Sequence, residues 1–260
     1  MPAKNLTHNM VPRAIVVDDE ASSASVVAKL LQHEHCEVTV CTDPAAALEP
    51  ALSGRVDLVS LDLSMPHLDG YQLLTLIRSH EHSRRLPSVP VITVTGRVTP
   101  EEKADALARG FAAHLGKPVM LEGLQCALAR ALTLRDELHR TRYTEDREAI
   151  ETSLDPVLEP GSAASLPTLA GLALALEQQG YRSLYQALLS AHVQQPDAAR
   201  AALRELARLA QTFGVARLCT CLDEMGEHLA SGGDVLDTAA VLARAELDRV
   251  IFTLREQVRR

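Results

Sequence analysis

Five positions in the first half of the chain carry side chains that could do chemistry together. Asp18 and Asp19 follow the apolar run "IVV", Asp62 follows "LVSL", Thr95 closes "VITVT", and Lys117 precedes Pro118. Apolar runs this short read as buried strands. A lone aspartate at a strand end is ordinarily a cap or turn residue. Parallel strands lie ~4.8 Å apart, however, so side chains at several strand ends can converge on one cleft. Three carboxylates brought together repel one another unless a cation joins them. An oxygen-only donor set favours a hard ion such as Mg2+, which keeps several waters beside one or two carboxylates. A carboxylate so held, with a lysine and a hydroxyl beside it, can receive a phosphoryl group. Asp62 would be the nucleophile and would become an acyl phosphate.

The elements that must position these residues can be traced in order. Strands are expected at Ala14–Val17, Glu37–Cys41, Asp57–Leu61, Val89–Thr95 and Ala113–Leu115. Helical spacing fills the gaps at Ser22–His33, at Asp43-Pro44 through Leu52, at Tyr71–Arg78 and at Pro100–Arg109 before Gly110. Five strands alternating with helices predict a doubly wound α/β fold, a five-stranded parallel sheet covered on both faces. From Met120 onward the pattern is entirely helical. Leu121, Leu124, Leu128 and Leu132 form a stripe that closes the first domain and fades into the charged segment "RDELHRTRYTEDREAIE". The prolines and small residues of "DPVLEPGSAASLP" mark a linker. Beyond it the apolar stripes predict helices from Thr168 to Gln178 (ending at Gly180), Arg182 to Val193, Asp197 to Phe213 and Val215 to Leu229. A last helix carries Leu236, Ala240, Ala243, Leu247, Val250, Leu254 and Val258 after a Ser231-Gly-Gly-Asp234 turn. Such stripes predict an all-α antiparallel bundle. The expected organisation is a tail over residues 1–11, an α/β domain over 12–133, an extension and linker over 134–165, and a bundle over 166–260.

Composition narrows the functional classes. The net charge is −8, aromatic residues make up 3% of the chain, and tryptophan is absent, so neither a basic nucleic-acid surface nor a base-stacking platform is indicated. Every lysine lies in the first half. The cysteines form no disulfide framework or metal knuckle, and Cys219 and Cys221 are too close for an ordinary bridge. No apolar stretch approaches ~20 residues and no signal peptide is read, which makes the cytoplasm the expected compartment. His33, His35 and Cys36, like His80 and His82, are read as solvated loop residues, and Glu20 as a helix-capping acid.

The segments "IVVDDE" (15–20), "LDLSMPHLDG" (61–70), "PVITVTG" (90–96) and "GFAAHLGKPV" (110–119) resemble the receiver domain of two-component response regulators, a CheY-like, flavodoxin-type fold. The resemblance covers residues ~12–133. It implies Asp62 as phosphoacceptor, Asp19 as direct Mg2+ ligand, Asp18 acting through water, and the backbone carbonyl of Ser64 completing the protein ligands. Thr95 would follow the phosphoryl group as the switch hydroxyl, and Lys117 would touch Asp62 and the phosphate. Donors would be a sensor histidine kinase, a histidine phosphotransfer (HPt) protein or a small phosphodonor. The only catalysis implied is Mg-dependent self-phosphorylation and autodephosphorylation. One departure concerns the signalling face. His114 stands where the family usually has Tyr or Phe, and it is smaller, polar and titratable near neutral pH.

The helical half bears on output. "RELARLAQTFGVARLCTCLDEMGEHL" (204–229) resembles the helix–Gly–helix section of HPt domains, with Arg204 at the position of the phosphorylatable histidine. Arginine is always protonated and cannot accept a phosphoryl group, so the likeness is to a degenerate HPt-like bundle that keeps a docking surface. His192 lacks the motif and reads as a helix-face histidine. The rival expectation is a transcriptional regulator with a helix-turn-helix at "LARLAQTFGVARLCTCL". Asp223, Glu224 and Glu227 on its would-be recognition helix, with Arg217 its one strongly basic residue, argue against it. The sequence thus predicts a phosphorylation-controlled regulator acting through protein partners, with a homodimer compatible, and no nucleic acid or membrane.

Overall fold

The computed structural model describes residues 11–53, 55–84, 86, 88–143, 166–212, 215–229 and 233–259. The N-terminal tail through residue 10, the linker over 144–165, and Ser231 and Gly232 of the expected turn lie outside the described residues. The chain runs β1 (Arg13–Val17), α1 (Ala21–His33), β2 (Glu37–Cys41), α2 (Pro44–Ala51), β3 (Leu58–Asp62), α3 (Gly70–Arg84), β4 (Val91–Thr95), α4 (Pro100–Ala108), β5 (Ala113–Gly116) and α5 (Leu121–Tyr143). The strands form one parallel sheet of order β2-β1-β3-β4-β5. β3 and β4 are buried at every position, as strands covered on both faces must be. Alternate residues serve opposite faces. Ala14, Val16, Ile92 and Val94 pack with Val27 and Leu31 of α1 and Leu124 and Leu128 of α5. Ile15, Val17, Val59 and Leu61 pack with Ala47 of α2 and Leu73 and Ile77 of α3.

The helical half follows as α6 (Leu166–Ala175), a π-helical turn (Leu176–Gly180), α7 (Tyr181–His192), α8 (Pro196–Thr212), α9 (Ala216–His228) and α10 (Gly233–Arg259). α7 packs on α8, α8 on α9, α9 on α10, and α10 returns against α6. Its buried residues, among them Leu184, Leu188, Leu206, Leu222, Leu247 and Leu254, belong to the same continuous apolar cluster as the α1–α5 side of the sheet. α4 lies against α7 and α10, so the bundle is packed on the α/β half.

Several local expectations change. Gly180 does not end a helix; its backbone is helical (φ −61°, ψ −49°) and the chain runs through it into α7. A Cβ there would lie 2.8 Å from Leu247 Cδ2, so this glycine serves the close approach of α10. α3 runs to Arg84 instead of Arg78, because Glu81 is buried and accepts from the Val89 amide (2.6 Å) and from Arg78 Nη1 (2.9 Å). His80 and His82 are therefore helical, and the His82 ring stacks on Phe252 of α10 at 4.0 Å. Glu20 occupies the N-cap position of α1, but its side chain accepts from the Ser22 hydroxyl and makes no capping bond to the helix.

Candidate functional site

The sheet register sets the site. Val17 pairs with Leu61, so Asp18, the next residue, leaves β1 level with Asp62 at the end of β3. Thr95 ends β4 opposite Gly116, and the Lys117 amide donates to the Thr95 carbonyl at 2.7 Å, which brings the lysine to the same edge. Gly70, opening α3, lets the loop after β3 fold back. A Cβ there would lie 2.4 Å from the Asp62 carbonyl oxygen, and its amide bonds the Leu63 carbonyl at 3.2 Å.

Asp18, Asp19 and Asp62 each offer a carboxylate oxygen, all within 4.8 Å of one another. Asp18 and Asp62 are buried and Asp19 is exposed. Lys117 Nζ bridges the two buried acids, 2.8 Å from Asp18 Oδ2 and 2.9 Å from Asp62 Oδ2. The other oxygens meet backbone donors: Asp18 Oδ1 accepts from the Glu20 amide (3.0 Å) and Asp62 Oδ1 from the Ser64 amide (3.2 Å). Burial works to lower the lysine pKa, but the hydrogen bonds to Asp18 and Asp62 outweigh it and raise it above its ordinary value. The ammonium therefore stays charged. Three carboxylates against one ammonium leave two negative charges, and every donor is oxygen. That set fits a small divalent hard cation. The Thr95 hydroxyl is buried beside this cleft and accepts from the Arg97 amide at 3.4 Å.

His114 lies on β5 opposite Thr93, away from the acidic oxygens. It is buried, and neither ring nitrogen has a hydrogen-bond partner; the Thr93 hydroxyl beside it has none either. Burial lowers the His114 pKa; Glu102 opposes the shift and Lys103 reinforces it. Arg204 sits in the other half, on the exposed side of α8 between the buried Leu203 and Leu206.

A second polar centre joins the halves, and it is not apparent from the motifs. Asp237 of α10 is fully buried; its Oδ2 lies 2.9 Å from Lys103 Nζ on α4 and 3.2 Å from Arg130 Nη1 on α5. His192 Nε2 of α7 lies 3.3 Å from Oδ1. Burial pushes the Asp237 carboxyl up, and His192, Lys103 and Arg130 together hold it below the ordinary value. The available signal was an acid inside an apolar row, three residues before Ala240 and four before Val241. Nearby, the Tyr181 hydroxyl donates to Asp105, and the Arg109 guanidinium lies 4.7 Å from the Tyr71 ring centre and 5.1 Å from that of Tyr181.

The family model of the response regulator receiver domain matches residues 14–129. The α/β half is thus a receiver domain of two-component response regulators. Among curated proteins, the chain is 29% identical over 147 residues to sensor protein GacS of Pseudomonas syringae, covering 56% of this chain and 16% of that one. It is 32% identical over 124 residues to the transcriptional regulatory protein PrrA of Mycobacterium tuberculosis (48% and 51% covered). With response regulator MprA of Mycobacterium avium it shares 31% over 150 residues (56% and 61%). The chain therefore spans a small part of GacS and about half of PrrA. Among solved structures, chemotaxis protein CheY4 of Vibrio cholerae aligns at 28% identity with a TM-score of 0.42, covering 47% of this chain and all of that one. Among the described residues no helix is long and apolar enough to cross a membrane.

Proposed function

We propose that the chain is a phosphoacceptor regulator: Asp62 takes a phosphoryl group from a sensor histidine kinase, an HPt protein or a small phosphodonor, and the helical bundle carries the resulting change to a protein partner. The observation that carries this reading is the Lys117 ammonium held between Asp18 and Asp62 at the mouth of the sheet. Asp18, Asp19, Asp62 and the Ser64 carbonyl would hold Mg2+, whose charge would offset that of the incoming phosphoryl oxygens. An Asp62 oxygen attacks phosphorus as the bond to the donor nitrogen or oxygen breaks, and the leaving group departs with that electron pair. Lys117 pairs with a phosphoryl oxygen, and the Thr95 hydroxyl donates to another. Hydrolysis of the acyl phosphate returns Asp62. His114, beneath α4, is the residue that reads the change on the signalling side.

For the bundle we favour a degenerate HPt-like docking module, since Arg204 has no nucleophile to offer. PrrA is by name a transcriptional regulator, but the electrostatics of α9 weigh against DNA output here. Its Arg217 is 3.6 Å from Glu246, and Asp223, Glu224 and Glu227 are exposed along the same helix. The test is incubation of the full chain with Mg2+ and acetyl phosphate, followed by intact mass. One added phosphoryl group is expected, absent from Asp62→Asn. No gain in the native chain, or an equal gain in the variant, refutes the reading.

A further inference from the structure

The junction between the halves is built around one carboxylate. Asp237 belongs to the bundle, while Lys103 and Arg130 belong to two different helices of the receiver, and both cations reach the same oxygen. Two cations placed that close repel each other unless an anion lies between them. The receiver surface is therefore shaped to take a carboxylate, and α10 supplies it. A carboxylate with no exposed surface cannot surrender these partners by degrees, because a buried charge left unpaired is strongly destabilising. The junction is thus either closed with both ion pairs made or open with all three charges in water.

Beside the apolar cluster that the two halves share, other contacts at the junction are polar. The Tyr181–Asp105 hydrogen bond, Arg109 between two tyrosine rings and the His82–Phe252 stack have polar members that water can serve. Arg109 is exposed enough to be solvated in either state. Lys103 also links the joint to the signalling side, since it and its neighbour Glu102 act on the buried His114 ring.

We propose that Asp237 is the latch of an intramolecular lock: it fastens the bundle over α4 and α5, and its release uncovers a receiver surface where Lys103 and Arg130 take a carboxylate from a helix of a partner protein. This rests on the phosphoacceptor reading only for its trigger; the latch itself is tested without phosphate. Hydrogen exchange is measured on the full chain, on Asp237→Asn and on the double variant Lys103→Ala, Arg130→Ala. Amides of α4 and α7 should exchange at least tenfold faster in both variants, while those of α8 and α9, away from the joint, keep their protection. Native protection of α4 and α7 in the double variant overturns the latch. If Asp237→Asn also loosens α8 and α9, the bundle itself has been damaged, and the double variant, altered only on the receiver, decides. Acetyl phosphate labelling of the same samples separates the two readings, because a failed latch leaves the Asp62 mass gain intact.

Discussion

Replacing Lys117 by methionine keeps the stem of the side chain and deletes its charge. In the native chain the ammonium stands 2.8 and 2.9 Å from two carboxylates whose side chains are 3% and 9% exposed. With an effective dielectric constant of 20, each contact is worth roughly 6 kcal/mol of gross attraction, most of it cancelled by desolvation. Removing the shared cation leaves two buried like charges side by side, and a loss of about 3 kcal/mol is expected in metal-free buffer. The Lys117 pKa is raised by folding, so its contribution is complete below the ordinary lysine value and fades only as pH climbs through the folded value. The loss should therefore be constant from about pH 6 to 9. Mg2+ should then discriminate. The variant no longer holds a competing cation against the acids, so its affinity for the ion should rise about tenfold, and saturating Mg2+ should return about 1.4 kcal/mol more to it than to the native chain. Urea denaturation with EDTA and with a Mg2+ series measures both quantities. Native stability without metal, or an equal Mg2+ gain in both proteins, would refute this account of the cleft.

Two other substitutions test the surroundings. Gly70→Ala places a Cβ 2.4 Å from the Asp62 carbonyl, so urea melts should show a loss of about 1–3 kcal/mol and acetyl phosphate labelling should slow; a change under about 0.5 kcal/mol would mean that the β3–α3 loop yields freely. His114→Phe removes two ring nitrogens without partners and should stabilise the fold by about 1 kcal/mol. Because burial lowers the His114 pKa, native stability falls as pH drops below the ordinary value of 6.5, where the unfolded chain binds the proton first. The advantage of the phenylalanine variant should therefore widen from pH 8 to 5.5, and a gap that narrows would contradict the burial argument.

Much of the α/β half could be read from local pattern, since apolar runs ending in Asp18, Asp62 and Thr95 are strands whatever else surrounds them. The strand after Arg55 ends on Asp62 itself, one residue later than its apolar pattern suggests, because the Asp62 backbone still pairs in register with Val94. Asp57, expected to begin that strand, instead accepts from the Arg13 amide (2.8 Å) and from Arg135 of α5 (2.7 Å), a tie between distant segments that no local spacing encodes. The same limit hid the joint at Asp237. Its partners come from α4, α5 and α7, and only assembled packing brings them together. Gly180 reads locally as a helix end because glycine is a common helix terminator; its purpose becomes visible only once Leu247 lies against it.

Because the helical half carries no lysine, lysine chemistry is confined to the receiver and the tail before it. The three described lysines sit in unlike surroundings: Lys29 in open solvent on α1, Lys117 in the acidic cleft, and Lys103 under Asp237. One acylating reagent read by peptide mapping would thus carry its own calibrant, a gauge of cleft occupancy and a gauge of how often the two halves part, all from an unmutated chain.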